Sequence, residues 1–281
     1  MIPTLVIARL TLHEALRRRL VAAFGAITLC FVGLSAWGFY RLGHSQSLTS
    51  GDLNVALPQA LVLFMFMFSF VLALSASTIA SLAVASEVES GVLHTIVTRP
   101  LTRAQVLLGK WTGLATVVLG YAVVVSTLEV IVVGWVSGFT PPDPLAVALY
   151  LFAEGVVLMT LVLFLSTRLS ALASGVVGIA LFGAAWLAGV VGTLGTNFHI
   201  GSLRVIGEVS RYVLPTDGLW RGAVYYLEPS SFLTRRLTEV VGGGNPFFVA
   251  SPPGWVYVGW TAAWFAVVLA AGLVSFERKE L

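Results

Sequence analysis

Six apolar runs, separated by polar connections, dominate the pattern of the chain. An α-helix of about 20 apolar residues crosses the hydrocarbon core of a bilayer. Runs of that length or more cover residues 20–39, 57–85, 111–136, 145–165, 171–194 and 254–276. The second run, at 1.5 Å per residue, makes a helix of about 43 Å, so we expect it to tilt, kink or project from the bilayer. The pattern predicts an all-α integral membrane protein with six transmembrane helices.

Residues 1–19, which precede the first run, have a different pattern. Leu5, Leu12 and Leu16 recur on one side of a helix, whereas Arg17–Arg19 form a basic cluster. A basic amphipathic helix beside a membrane span is typical of an interfacial position on an anionic leaflet. We therefore predict an N-terminal amphipathic interfacial helix.

The polar connection at residues 86–110 lies between the second and third runs. Apolar residues recur there at helical spacing, at Val92, Leu93, Ile96 and Val97. The Arg99-Pro100 pair then breaks the helix. A helix this short cannot span the membrane, so it lies on the surface or docks on a partner. The pattern predicts a short helix within this connection.

The longest connection, residues 195–253, is more polar and contains interleaved aromatic residues. Short helices are expected there, and Arg204, Glu208 and Arg211 are spaced for one helical face. Two interpretations remain open for this segment. It forms a gate or docking surface, or it is a structural cap of packed aromatics over the outer mouth. The candidate gate residues are Arg211, Pro215, Asp217 and Trp220.

Composition and the placement of basic residues define the class and the topology. The chain is 58% hydrophobic and 10% charged, with a mean hydropathy of +0.94, whereas soluble domains have roughly 25% charged residues. With six spans, both termini lie on the side of residues 86–110, together with the basic residues Arg9, Arg17, Arg18, Arg19, Arg99, Arg103, Lys110, Arg168, Arg278 and Lys279. The positive-inside rule makes that side cytoplasmic. We expect a multi-pass protein of the cytoplasmic (inner) membrane, with residues 195–253 outside.

Catalytic and metal-binding patterns are incomplete in the sequence. His13-Glu14 lacks the second histidine of a zinc-protease motif, and the single cysteine, Cys30, cannot form an intrachain disulfide. Gly109-Lys110 is not a phosphate-binding loop, because Ala104 and Trp111 replace the required glycine and Ser/Thr. We therefore predict no catalytic, cofactor or metal residues in this chain.

Two acids, Glu129 and Glu154, fall within the third and fourth predicted spans. An intramembrane carboxylate is costly and marks a candidate for function. It either lines a substrate path or relays protons, or it is a hydrogen-bonded packing residue. In the packing interpretation, Ser126 or Thr127 lies within a turn of Glu129. The sequence leaves both interpretations open.

The polar connection carries a further motif, formed by Glu87, Glu89, Gly91, Arg99-Pro100-Leu101, Arg103 and Gly109-Lys110. This combination resembles the cytoplasmic segment of ABC-2 type permeases, which belong to the type V ABC exporters. Leu214-Pro-Thr-Asp217 is also similar to a short motif in the permease of the nitrous-oxide-reductase maturation transporter. The resemblance covers the layout of most of the chain and about 25 residues of motif.

The resemblance implies a half-transporter. Two permease chains would form the pathway, and separate ATP-binding subunits would bind ATP and Mg²⁺ and hydrolyse the nucleotide. The short helix would be a coupling helix on the ATPase. The implied interface residues are Glu87, Glu89, Gly91, Val92, Leu93, His94, Ile96, Arg99, Pro100, Arg103 and Lys110.

Several alternatives accompany this interpretation. Glu87 and Glu89 either pair with basic residues of the ATPase or are solvated acids at a helix N-terminus, favoured by the helix dipole. Arg99 and Arg103 are equally suited to lipid phosphates. For the whole chain, the expected function is an exporter permease, and its mostly apolar interior favours lipids, hydrophobic drugs or peptides over ions as substrates. The alternative is a non-transporting membrane subunit that couples an ATPase to an extracytoplasmic assembly or signalling partner.

Overall fold

The computed structural model describes residues 3–44, 50–89, 102–138, 140–227, 249 and 251–278, and these residues form helices and short links without strands. The helices are α1 Pro3–Arg17, α2 Arg19–Gly43, α3 Ser50–Glu89, α4 Arg103–Ser137, α5 Pro144–Ser166, α6 Ala171–Asn197, α7 Gly201–Val213, α8 Thr216–Leu227 and α9 Trp255–Glu277. Within this described part, α2, α3, α4, α5, α6 and α9 are long and apolar enough to cross a membrane. The all-α fold with six candidate spans is confirmed.

Helices α3 and α4 extend beyond the predicted spans at 57–85 and 111–136. Helix α3 has 40 residues, about 60 Å at the usual rise per residue. Helix α4 begins at Arg103, where the Thr102 side chain accepts from the Gln105 N–H and the Gln105 side chain accepts from the Thr102 N–H. This capping box satisfies two backbone donors and starts the helix. Residues 103–110, predicted as part of the polar connection, therefore belong to α4.

Helix α5 is central in the bundle and packs against α3, α4, α6, α8 and α9. Asp143 caps its first turn by accepting from the Ala146 N–H at 3.1 Å, and Pro144 occupies the first helical position, where its missing N–H is harmless. Leu158 and Met159 are fully buried in the core. In contrast, α2 and α9 are the least buried of the six candidate spans.

The connection after α6 turns back on itself to form two short helices. His199, with a φ of +58°, lies in the turn, and α7 returns along α6. A Cβ on Gly207 would lie 2.5 Å from the Gly192 Cα, so the two helix backbones meet without intervening side chains. Helix α8 then packs against α5. These are the short helices predicted for the long connection.

Candidate functional site

The link between α5 and α6 and the start of α4 meet the end of α9 at one end of the bundle. Arg103 Nη1 donates to the Glu277 carbonyl at 3.0 Å. Arg168 Nε donates to Ser275 Oγ at 3.0 Å, and the Thr167 hydroxyl lies 2.8 Å from the same oxygen. Three parts of the chain that the positive-inside rule predicts to be cytoplasmic therefore share one end of the fold.

Lys110, a predicted interface residue, is buried at the same end. Its ammonium group donates to the carbonyl of Ala83 in α3. The preceding Gly109 lies against α1, because a Cβ there would be 2.9 Å from the Thr4 carbonyl oxygen. The Gly-Lys pair thus allows α1 to pack closely and joins α4 to α3. This intramolecular role was not predicted from the sequence.

Most of the predicted coupling residues lie outside the described residues: Gly91, Val92, Leu93, His94, Ile96, Arg99 and Pro100. Glu87 and Glu89 are described by backbone alone, in the last turn of α3. The short helix that they are predicted to precede lies outside the described residues, so the solvated N-terminal interpretation stays a prediction. Their assignment to an ATPase interface also stays a prediction.

Glu154 lies in the centre of the bundle, on α5, and is 3% exposed. Its Oε1 accepts from Ser69 Oγ of α3 at 2.8 Å. Its Oε2 has no hydrogen-bond partner among the described residues. The carboxyl group therefore joins two core helices and keeps an unfilled acceptor position.

Glu129, on α4, has a similar environment. Its Oε2 accepts from Ser35 Oγ of α2 at 3.0 Å, and its Oε1 has no partner among the described residues. The partner is not Ser126, whose hydroxyl is itself unpaired in the described part of the chain. Thr127 is likewise not the donor to Oε2. The hydrogen-bonded packing contact exists, but its donor comes from another helix.

An apolar cavity of about 350 Å³ lies between the N-terminal helices and the core. Leu12 of α1, Phe24 of α2, Ile79 of α3 and Leu114 of α4 contribute to its wall. Its lining is nearly all hydrocarbon, so it suits an alkyl or aromatic group rather than an ion.

The predicted gate residues come together where α7 meets α8. Asp217 Oδ2 accepts from Arg211 Nε and from Arg221 Nε, each at 3.0 Å. Arg221 Nη2 also donates to the Gly189 carbonyl at 2.9 Å and to Thr193 Oγ1 at 2.7 Å. The carboxylate and its two guanidinium partners thus connect α6, α7 and α8. We call Arg211, Asp217 and Arg221 the outer ion cluster.

The outer ion cluster fits only because α6 has a glycine beside it. A Cβ on Gly189 would lie 2.2 Å from Asp217 Oδ1. Burial lowers the pKa of the Arg221 guanidinium, and the negative charge of Asp217 opposes that shift. The ion pair therefore offsets the desolvation of a buried cation.

The other two predicted gate residues pack beside the outer ion cluster. Trp220 is buried and meets Phe66 of α3 edge-on, with ring centroids 6.0 Å apart. Phe66 in turn stacks on Trp186 of α6 at 4.6 Å. The Pro215 carbonyl lies 3.2 Å from the Tyr257 hydroxyl, which donates to it. The segment thus combines the buried aromatic packing of a cap with the charged residues proposed for a gate.

Helix α9 holds the end of α7 through aromatic side chains. Trp260 Nε1 donates to the Tyr212 carbonyl at 3.0 Å, and Trp264 Nε1 donates to the Val213 carbonyl at 2.9 Å. The last carbonyls of a helix lack intrahelical partners, so these bonds satisfy the end of α7. Trp264 was missed in the sequence, although Tyr257, Trp260 and Trp264 recur at helical spacing.

Comparison with protein families gives a match over nearly the whole chain. A family model described as ABC-2 family transporter protein matches residues 5–281. The chain belongs to the ABC-2 transporter family. No curated protein matches it. This ABC-2 protein is therefore a multi-pass membrane permease subunit, and its family implies ATPase partners within an ABC transporter.

The described residues contain no group of three or more His, Cys, Asp or Glu suited to a metal ion.

Proposed function

We propose that this ABC-2 permease is the pathway-forming subunit of an exporter and works as a dimer with two separate ATPase subunits. It lies in the inner membrane with both termini in the cytoplasm, and ATP and Mg²⁺ bind to the ATPase. The observation that carries the proposal is the position of α9. This helix contacts Arg103 at one end and the outer helices at the other.

This arrangement supplies a mechanical connection across the bundle. Residues 90–101 precede Arg103, so a push on the predicted coupling segment reaches the Arg103 contact with Glu277. Rigid-body motion of a helix transmits displacement over its length. Helix α9 then carries the displacement to Trp260 and Trp264, which hold α7. Closure of the ATPase would in this way move the outer helices.

The position of Glu87 and Glu89 supports a basic partner. Both lie in the last turn of α3, where the negative end of the helix dipole disfavours acidic side chains. Basic residues of an ATPase would offset that cost. The apolar cavity beside α1 supports a substrate with hydrocarbon groups.

The experiment starts by purifying the tagged chain from its native membrane. Mass spectrometry of the intact complex is expected to find two permease chains, two ATPase chains and the bound small molecules. These molecules are then offered to inverted membrane vesicles, and ATP-dependent uptake would establish export. If no ATP-dependent uptake is seen and an external protein is bound to the purified complex, the non-transporting alternative is favoured.

Gly91→Pro tests the coupling segment, with Gly91→Ala as its matched control. Proline breaks a helix whereas alanine favours one. We expect Gly91→Pro to insert in the membrane and bind the ATPase but to lose substrate-stimulated ATP hydrolysis and transport. Equal stimulation in both variants would contradict the coupling assignment.

A further inference from the structure

A polar cavity of about 470 Å³ opens beside the outer ion cluster. Its wall includes Arg211, Arg221, Glu208, Ser251 and Tyr257. We propose that this cavity binds an oxyanion, a phosphate or carboxylate group, on Arg211 and Arg221. This proposal is independent of the proposed exporter function, because anion binding in this cavity requires the fold but no particular direction of transport and no ATPase.

The charges around the cavity favour an anion. Asp217 lies behind the two arginines and is not part of the wall, and its single carboxylate serves both guanidinium groups. The Glu208 carboxylate is already paired with Arg204 Nε at 2.7 Å. Three arginines thus face two acids, which leaves one positive charge among these described residues.

The rest of the outer segment does not alter this balance. Residues 228–250 contain two acids and two basic residues, so their formal charges cancel. The excess positive charge therefore persists over residues 204–250 as a whole, and among the described residues it reaches the cavity wall at Arg211 and Arg221. A guanidinium group binds a phosphate or carboxylate through a planar fork of N–H donors.

The two arginines suit different tasks in such a site. Arg221 is 7% exposed and bonds to Asp217, Gly189 and Thr193, so it is fixed in position. Arg211 has a side chain that is 30% exposed and uses its Nε for Asp217. Its position at the wall makes Arg211 the residue to test, because its loss leaves the Asp217–Arg221 pair intact.

The test measures thermal unfolding of the purified full-length chain in detergent, followed by tryptophan fluorescence. The probes are sodium phosphate, sodium acetate, dihexanoyl phosphatidic acid and dihexanoyl phosphatidylcholine, each compared with sodium chloride at equal ionic strength. The variants are Arg211→Gln and Arg211→Lys. The matched control is Arg204→Gln, on the same helix but outside the cavity wall.

At about 100 times its dissociation constant, a bound anion is expected to raise the unfolding temperature by about 5 °C. Wild type should show this shift in full and Arg211→Gln none. Arg211→Lys should show a smaller shift, and so should Arg204→Gln, because it leaves the Glu208 carboxylate at the wall without its partner. Glu208→Gln should enlarge it by removing a like charge. Phosphatidic acid binding at least about tenfold tighter than free phosphate would identify a lipid headgroup, whereas equal binding would identify a soluble oxyanion.

Two results would overturn the proposal. One is that no anionic probe shifts the wild-type protein beyond the chloride control. The other is that Arg211→Gln, eluting as the folded protein on size exclusion, shifts as much as wild type. If Arg211→Gln fails to fold, Arg211→Lys decides, and a shift there equal to that of wild type would equally refute the assignment.

Discussion

Glu154 and Asp217 are both buried carboxyl groups, but their partners differ. Glu154 accepts one hydrogen bond from a serine hydroxyl and has a second oxygen without a partner among the described residues. Asp217 receives two guanidinium groups on one oxygen. The first arrangement joins two helices with a neutral donor, and the second fixes a charge within a network.

The two carboxyl groups should therefore differ in how much the stability of the protein depends on their partners. Removing one member of a buried ion pair leaves an uncompensated charge and is costly. Removing a single hydroxyl–carboxyl contact between membrane helices costs far less. The outer ion cluster should therefore be sensitive to substitution, whereas the centre of the bundle should tolerate it.

The largest expected effect is that of Asp217→Asn. The change keeps the shape of the side chain but leaves Arg221 buried without its counter-ion, so we expect a loss of about 3–5 kcal/mol in the free energy of unfolding. Denaturation in mixed micelles measures it. The control is Glu208→Gln, whose solvent-exposed pair with Arg204 should contribute little to stability. Equal losses in the two variants would refute the distinction.

Gly189→Ala should have the next largest effect. Its new Cβ would collide with the Asp217 carboxylate, and overpacking of this kind costs about 1–3 kcal/mol. The control is Gly183→Ala on the same helix, where a Cβ meets nothing within 4 Å and alanine favours the helix. A Gly189→Ala protein as stable as Gly183→Ala would show that α6 and α8 separate at little cost.

The six spans could be predicted because hydrocarbon length and polarity fix them locally. The start of α4 was also readable in principle, since Thr102 and Gln105 have the spacing of a capping box. The hydropathy pattern predicts a start at Trp111, because the charge of Lys110 interrupts the apolar run. Lys110 is instead buried, with its charge bonded to a carbonyl of another helix.

The site could be predicted only in part, because its contacts join distant positions. Arg211, Pro215, Asp217 and Trp220 were chosen as neighbours in sequence, and the structure groups them. The roles of Gly189 and Thr193 depend on how α6 packs against α8, which no local pattern specifies. The Ser69 contact of Glu154 spans 85 positions, so helical spacing around the acid could not reveal it.

A smaller effect is expected for Ser69→Ala. This change removes the described donor to Glu154, and interhelical hydrogen bonds in membranes contribute about 0.6 kcal/mol on average. Ser75→Ala is the matched control on the same helix, since Ser75 donates to the Leu72 carbonyl of its own helix. We expect micelle denaturation to show a loss for Ser69→Ala that exceeds the loss for Ser75→Ala. The reverse order would mean that Glu154 does not depend on Ser69.

The smallest effect on stability is expected for Glu154→Gln. A glutamine oxygen accepts from Ser69 as the carboxyl oxygen does, so the loss should stay below that of Ser69→Ala. If Glu154 is a packing residue, ATP-dependent uptake into inverted vesicles should equal that of wild type, and Glu129→Gln should behave alike through Ser35. A variant that keeps its unfolding free energy but loses uptake would place that acid on the transport path instead. The unfilled acceptor oxygen would then be the atom that a proton or substrate donor contacts.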